Sequence, residues 1–133
     1  MDELAESVYR LHAQILKTLA QPKRLMILDC LHSGPKSVGE LVEALGLPQA
    51  NVSQHLAALR SHELVTTRRE GNTIRYSLAS ERIVEACNVF HIFLAERLQN
   101  SGALADRFPA ARPLLGAGPP AVPVENGLVA ARR

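Results

Sequence analysis

Forty-two consecutive positions, Ser37 to Leu78, leave no spare residues between short elements, and this stretch constrains the fold more than any other. Ser37 followed three residues later by Glu40 reads as a capping box, in which each residue satisfies the other's backbone N–H. Leu41, Val42 and Leu45 then supply the buried side of a helix of about two to three turns. Gly46 suits the left-handed position that closes such a helix. Pro48 fits the first turn of the next one, where Val52, Leu56 and Leu59 share a face and Ala50, Ser53, Gln54 and Ala57 share another. From Leu64 the period changes to two. Ile74, Tyr76 and Leu78 alternate with Thr73, Arg75 and Ser77, and Gly71-Asn72 is placed as the tip of a hairpin.

Two short helices joined this tightly form a helix-turn-helix, and the ribbon behind them, with Thr and Arg at its exposed positions, makes a wing. The flanks supply the rest. Leu4, Val8, Leu11, Ile15 and Leu19 recur at intervals of three and four and mark an opening amphipathic helix. Pro22 begins a second helix, in which Leu25, Ile27, Leu28 and Leu31 carry most of the apolar surface, and Ser33, Gly34 and Pro35 end it. From Glu81 to about Gln99 a long helix places Ile83, Cys87, Phe90, Leu94 and Leu98 on one stripe and Ala86, Val89 and Phe93 on an adjoining one. A helix apolar on two sides must be covered on two sides, and a second copy of the same helix is the simplest cover. The expectation is therefore a mainly α chain with a small β-hairpin, a winged helix-turn-helix of order α-α-α-α-β-β-α, forming a homodimer through its first and last helices.

The chain of 133 residues divides into residues 1–100, a DNA-binding and dimerisation domain, and residues 101–133, which read as a flexible tail rich in Pro, Gly and Ala. No segment approaches the roughly 20 apolar residues of a membrane-spanning helix, and the acidic start (Asp2, Glu3, Glu6) lacks the basic opening of a signal peptide, so a cytoplasmic protein is expected. Residues 1–100 hold 11 Lys/Arg and 11 Asp/Glu, which excludes a uniformly basic coat. Between positions 60 and 75, however, Arg60, Arg68, Arg69 and Arg75 stand against only Glu63 and Glu70. Local charge is what docks onto phosphates, and double-stranded DNA is the expected partner.

A recognition helix needs short polar side chains in its N-terminal half, because bulky groups there hold the backbone away from base edges. Gln49, Asn51, Ser53, Gln54 and His55 meet that need. Gln and Asn pair bidentately with adenine, Ser donates or accepts, and His55 is within reach of a phosphate or base. Arg60, nearer the end of the helix, and Arg68, Arg69, Asn72 and Arg75 in the ribbon are placed on the phosphate backbone. The competing reading is an ordinary solvated helix face, or a winged-helix module that binds another protein; salt-sensitive binding to promoter DNA separates them. An enzyme is not expected, since the closest thiol and imidazole, Cys87 and His91, lack an orienting third group.

The segments LAQPKRLMILDCL (Leu19 to Leu31), SVGELVEALGL (Ser37 to Leu47), NVSQHLAALRSHELV (Asn51 to Val65) and TTRREGNTIRYSL (Thr66 to Leu78) resemble the ArsR/SmtB group of dimeric bacterial transcriptional repressors. The resemblance covers about residues 12 to 99. It implies a homodimer that sits on an imperfect inverted repeat of operator DNA, blocks transcription and leaves when an inducer binds.

The resemblance also frames the sensor. The Cys-x-Cys that metal-sensing members carry in the third helix corresponds here to Ser37-Val38-Gly39-Glu40, without a thiol. The Asp, His, His and Glu that others carry on the last helix correspond to Ser80, Arg82, Phe93 and Glu96, leaving one ligand. Redox-responsive members carry one Cys in the second helix and one near the end of the last; here Cys30 falls one residue late, and Cys87 about two turns early. One residue of shift turns a side chain by about 100 degrees, so a Cys30–Cys87 switch and two small buried hydrophobes both remain open readings. By spacing alone, Cys87 and His91 lie four apart on one helical face, and a twofold dimer would bring two such pairs together as four ligands for zinc or another thiophilic metal. No cofactor is required for the fold. The expected inducer, a thiol-reactive species or a metal ion, acts at the helical dimer core.

Overall fold

The computed structural model describes residues 1–101; the proposed tail lies outside the described residues, save Ser101. Seven elements follow in the order α1 (Glu3–Leu19), α2 (Pro22–His32), α3 (Val38–Leu45), α4 (Gln49–Ser61), β1 (Val65–Glu70), β2 (Thr73–Leu78) and α5 (Arg82–Ser101). This is the expected α-α-α-α-β-β-α arrangement.

Local chemistry sets most of the boundaries. The Asp2 carboxylate caps α1 by accepting from the Ala5 N–H at 2.8 Å, with Glu3 and Glu6 in the first turn and Lys17 in the last, each at its favourable end of the helix dipole. Pro22 opens α2, where its missing N–H costs nothing. At α3 the capping box is complete: Glu40 N–H donates to Ser37 Oγ at 3.1 Å, and Ser37 N–H donates to Glu40 Oε1 at 3.0 Å. Gly46 closes α3 at φ +69°, the left-handed conformation expected of it. Pro48 differs from the expectation by one position. It stands just before α4, with φ −61° and ψ 146°, as the extended residue that caps Gln49. Its ring fixes φ but leaves ψ free, so the cap site suits it as well as the first turn does.

The core is a single cluster around α2. Ile27, Leu28, Asp29, Cys30 and Leu31 are all buried in succession, so this helix is covered on nearly every side. Leu41 of α3, Val52, Leu56 and Leu59 of α4, and Leu64 and Val65 at the start of the hairpin close around it. The hairpin pairs Val65 with Leu78, Arg68 with Arg75 and Glu70 with Thr73, leaving Gly71 and Asn72 as its two-residue loop. Gly71 takes φ +65°, as a glycine at the first loop position of a tight hairpin should. Lys36 pairs with Tyr76 through two backbone hydrogen bonds of 3.0 and 2.8 Å, a third rung that anchors the free edge of β2 to the segment entering α3.

The last helix corrects the sequence reading. Its buried residues are Val84, His91 and Ala95, whereas Phe90 and Leu94 of the expected stripe are 65 % and 45 % exposed. Periodicity located apolar faces; it did not say which face meets the chain's own body. α5 meets α2, and Ile83 packs against the α2-centred core, while Val84, His91 and Ala95 are the buried residues of α5. The remaining apolar groups, Val89, Phe90, Phe93 and Leu94, join Leu4, Val8 and Leu11 of α1 as large hydrophobic side chains left uncovered by a single chain.

Candidate nucleic-acid interface

Helix α4 is pinned by Val52, Leu56 and Leu59, each fully buried, which turns Gln49, Asn51, Ser53, Gln54 and Arg60 outward. All five are exposed, and no side chain of this set is drawn into the core. The wing stands beside them. Ser53, Ala57, Arg60 and Ser61 of α4 and Tyr76 of β2 line an open groove between helix and ribbon. The pleat assigns the hairpin's residues to two faces: Tyr76 shares one with Thr67, Arg69 and Ile74, while Arg68, Glu70, Thr73 and Arg75 share the other.

Two residues expected at the DNA surface have other commitments. His55 is half-buried, and its Nδ1 accepts from Arg24 Nε at 3.1 Å. Burial, then the Arg24 and Lys23 charges, holds this imidazole below its ordinary pKa, so it is a neutral acceptor facing α2. Arg75 is half-buried rather than exposed. It donates through Nη1 to Glu40 Oε1 at 2.8 Å and through Nε to Glu70 Oε1 at 3.0 Å. The reason is the hairpin register, which carries position 75 back over the start of α3. Arg68, 76 % exposed, donates to Glu70 Oε2 at 2.9 Å. Arg69 and Asn72 are exposed, and Arg69 has no ion-pair partner among the described residues.

The network around these ion pairs shifts both carboxylates. Glu40 lies below its ordinary pKa, chiefly through the Ser37 backbone N–H and then Arg75; Glu70 lies below it through Arg68 and Arg75. Arg75 is raised in turn, first by Glu40.

A second set of contacts, not found by sequence reasoning, ties α4 to the opening helix. Arg24 donates through Nη1 to the Thr18 carbonyl at 3.0 Å while its Nε holds His55, and the Thr18 hydroxyl lies 3.2 Å from His62 Nδ1 at the end of α4. Partners 31 and 44 positions apart leave no periodic trace in the sequence.

The sensor candidates are placed as follows. Cys30 and Cys87 are free thiols. Cys30 is 3 % exposed, and burial first, then the Asp29 charge, raises its pKa; burial alone raises that of the half-buried Cys87. Both are held as thiols, the opposite of an activated nucleophile. His91 is 3 % exposed and turned into the chain's own body, away from the uncovered apolar face of α5. Among the described residues no cluster of three His, Cys, Asp or Glu side chains comes together. Of the Cys87–His91 pair expected to meet its copy across a twofold axis, Cys87 is half-buried and His91 is buried within the single chain. No described helix is long and apolar enough to cross a membrane.

A helix-turn-helix, a charged wing and an outward polar face on α4 place the chain among DNA-binding regulators. Residues 21–67 match the sequence pattern of the family described as bacterial regulatory protein, arsR family. The HTH-type transcriptional regulator Rv0081 of Mycobacterium tuberculosis strain H37Rv is 40% identical over 103 residues, which span 77% of this chain and 90% of that one. The chain belongs to the arsR family of transcriptional regulators. The crystal structure of Rv0081 superposes with a TM-score of 0.66 at 41% identity, covering 72% of this chain and 97% of that one. The solution structure of Mb0332 from Mycobacterium bovis, described as a homodimeric winged helix-turn-helix DNA-binding domain, gives 0.68 at 30% identity, covering 75% and 93%. The biofilm growth-associated repressor of Xylella fastidiosa is 40% identical over 88 residues, 65% of this chain and 77% of its own. As a member of this family the chain is a DNA-binding transcriptional regulator and not an enzyme.

Proposed function

We propose that this regulator is a repressor that binds, as a homodimer, an imperfect inverted repeat in double-stranded operator DNA. Each α4 enters a major groove with Gln49, Asn51, Ser53 and Gln54 at the base edges, and each wing follows the adjacent backbone through Arg68, Arg69 and Asn72, with Arg60 on a phosphate. The observation that carries this reading is the α4 face itself: short polar side chains lie outward while Val52, Leu56 and Leu59 lock the helix from behind. The uncovered apolar residues of α1 and α5 support pairing of two chains, as does the homodimeric description of Mb0332. Two heads of this kind read half-sites about 34 Å apart, one turn of the duplex.

Release follows from an inducer that acts on the paired α1 and α5 helices and lowers affinity through a coupling of about 1 to 3 kcal/mol. Burial holds both cysteines in the less reactive thiol form, so a thiol-reactive inducer would have to be a strong one; it would enter at Cys87, the more accessible of the two and the one on the helix that bears the uncovered face.

The test is fluorescence anisotropy with a labelled duplex from the region upstream of the chain's own coding sequence, against a random duplex of equal length. The double variant N51A/Q54A should lose more than about tenfold on the upstream duplex and little on the random one. Equal loss on both, or no preference by the unaltered chain, refutes sequence reading by α4.

A further inference from the structure

We propose that Arg75 is a positioning residue, a latch that fixes the wing against α3 so that other wing cations reach the DNA backbone; this rests on the DNA-binding reading above. Its guanidinium spends two nitrogens on carboxylates, Nη1 on Glu40 and Nε on Glu70. The Glu40 oxygen that accepts from Arg75 is the same Oε1 that accepts the Ser37 N–H. One carboxylate oxygen thus caps the first helix of the helix-turn-helix and holds the ribbon that follows the second.

The hairpin needs such a tie. Arg68 and Arg75 are cross-strand partners, an arrangement in which like charges repel, and Glu70 sits between them with one oxygen on each. Glu40 completes a set of two cations and two anions. Beyond Tyr76 toward the tip, every wing residue except Arg75 is exposed, so no apolar packing sets the ribbon's angle. A two-stranded hairpin is marginal on its own. The Lys36–Tyr76 rung fixes its base; among the described residues, the Arg75–Glu40 bond is the only side-chain hydrogen bond from the hairpin to α3.

This assignment reverses the expected sign of one substitution. An acid near a phosphate backbone opposes binding, so its removal ordinarily tightens the complex. Here Glu40→Gln should weaken it, because Gln keeps the capping box while the charge that holds Arg75 is lost. The experiment measures binding of the full chain to the upstream duplex across a salt series. For E40Q the expected result is affinity about three- to tenfold weaker and a shallower dependence on salt, although no cation has been removed, since displaced Arg68 and Arg69 release fewer counterions. The conservative R75K should fall by a similar factor, because a lysine keeps the charge but not the fork that spans two carboxylates. E40Q binding as tightly as, or more tightly than, the unaltered chain would overturn the latch, as would R75K with unaltered affinity and slope; both mark Arg75 as a phosphate contact that DNA draws away from Glu40. Loss of binding by the unaltered chain would instead sink the DNA-binding reading, so the two failures are distinguishable. Circular dichroism melts of both variants separate a displaced wing from an unfolded chain: R75K, altered on the outer ribbon, should melt with the unaltered protein.

Discussion

A Cβ at Gly46 would meet no atom within 4 Å, so the residue is required there by its backbone alone. Gly46→Ala should therefore cost about 1 to 2 kcal/mol, the left-handed penalty undiluted by a clash, read as a lower urea midpoint with an unchanged slope. His55 makes a different demand. Its folded pKa lies below the ordinary 6.5, so as pH falls through 6.5 the unfolded chain takes up the proton first. Stability that is present above 6.5 is lost from there down through the depressed folded value, where an imidazolium would face Arg24. Urea midpoints at pH 7.5 and 5.5 should differ less in His55→Gln than in the unaltered chain; an equal difference would remove His55 as a source of acid sensitivity.

At the scale of elements, the turn and the caps follow from neighbours, while the tertiary ties do not. Ser37, Glu40 and Gly46 declare the ends of α3 because each acts on backbone within a few positions. The outward face of α4 was equally legible, since three apolar residues at helical spacing fix the opposite side. The commitment of Arg75 to Glu40 was not, because it joins residues 35 apart and depends on hairpin register. Nor was the buried seam of α5, for a helix apolar on two faces gives no local sign of which face meets its own chain. Loss of the cap in Ser37→Ala should cost about 1 kcal/mol in thermal or urea unfolding. In the wing, Arg69→Ala should weaken binding to upstream and random duplexes by similar factors and reduce the log–log salt slope by about 1; a loss confined to the upstream duplex would place Arg69 on a base instead. Acid should loosen the wing and the α3 cap together, since one Glu40 oxygen serves both. Glu40 and Glu70 are depressed carboxylates, so their ion pairs persist above the ordinary 4.5 and are lost as pH falls below it through the folded values.

At the scale of the whole molecule, the chain presents two surfaces with opposite chemistry. Polar α4 and the charged ribbon form one; the other, on α1 and α5, includes Leu4, Val8, Leu11, Val89, Phe90, Phe93 and Leu94. Arg24 and Thr18 join α1 to the polar side, because Arg24 of α2 bridges the Thr18 carbonyl to His55 of α4 and the Thr18 hydroxyl meets His62 at the C-cap of α4. A charge placed in the apolar surface tests what covers it. Phe90→Glu should yield monomers in sedimentation velocity at concentrations where the unaltered chain pairs, and should weaken operator binding by roughly tenfold or more as the second head is lost. A dimer that survives this change would move the contact elsewhere.

That apolar surface also sets how a cell would perceive the amount of this protein. If two polypeptides must meet before either grips its site firmly, occupancy at low abundance rises with the square of synthesis, and halving production silences the regulator about fourfold. Pairing through Phe90 and its neighbours would thus make the response to supply steeper than proportional.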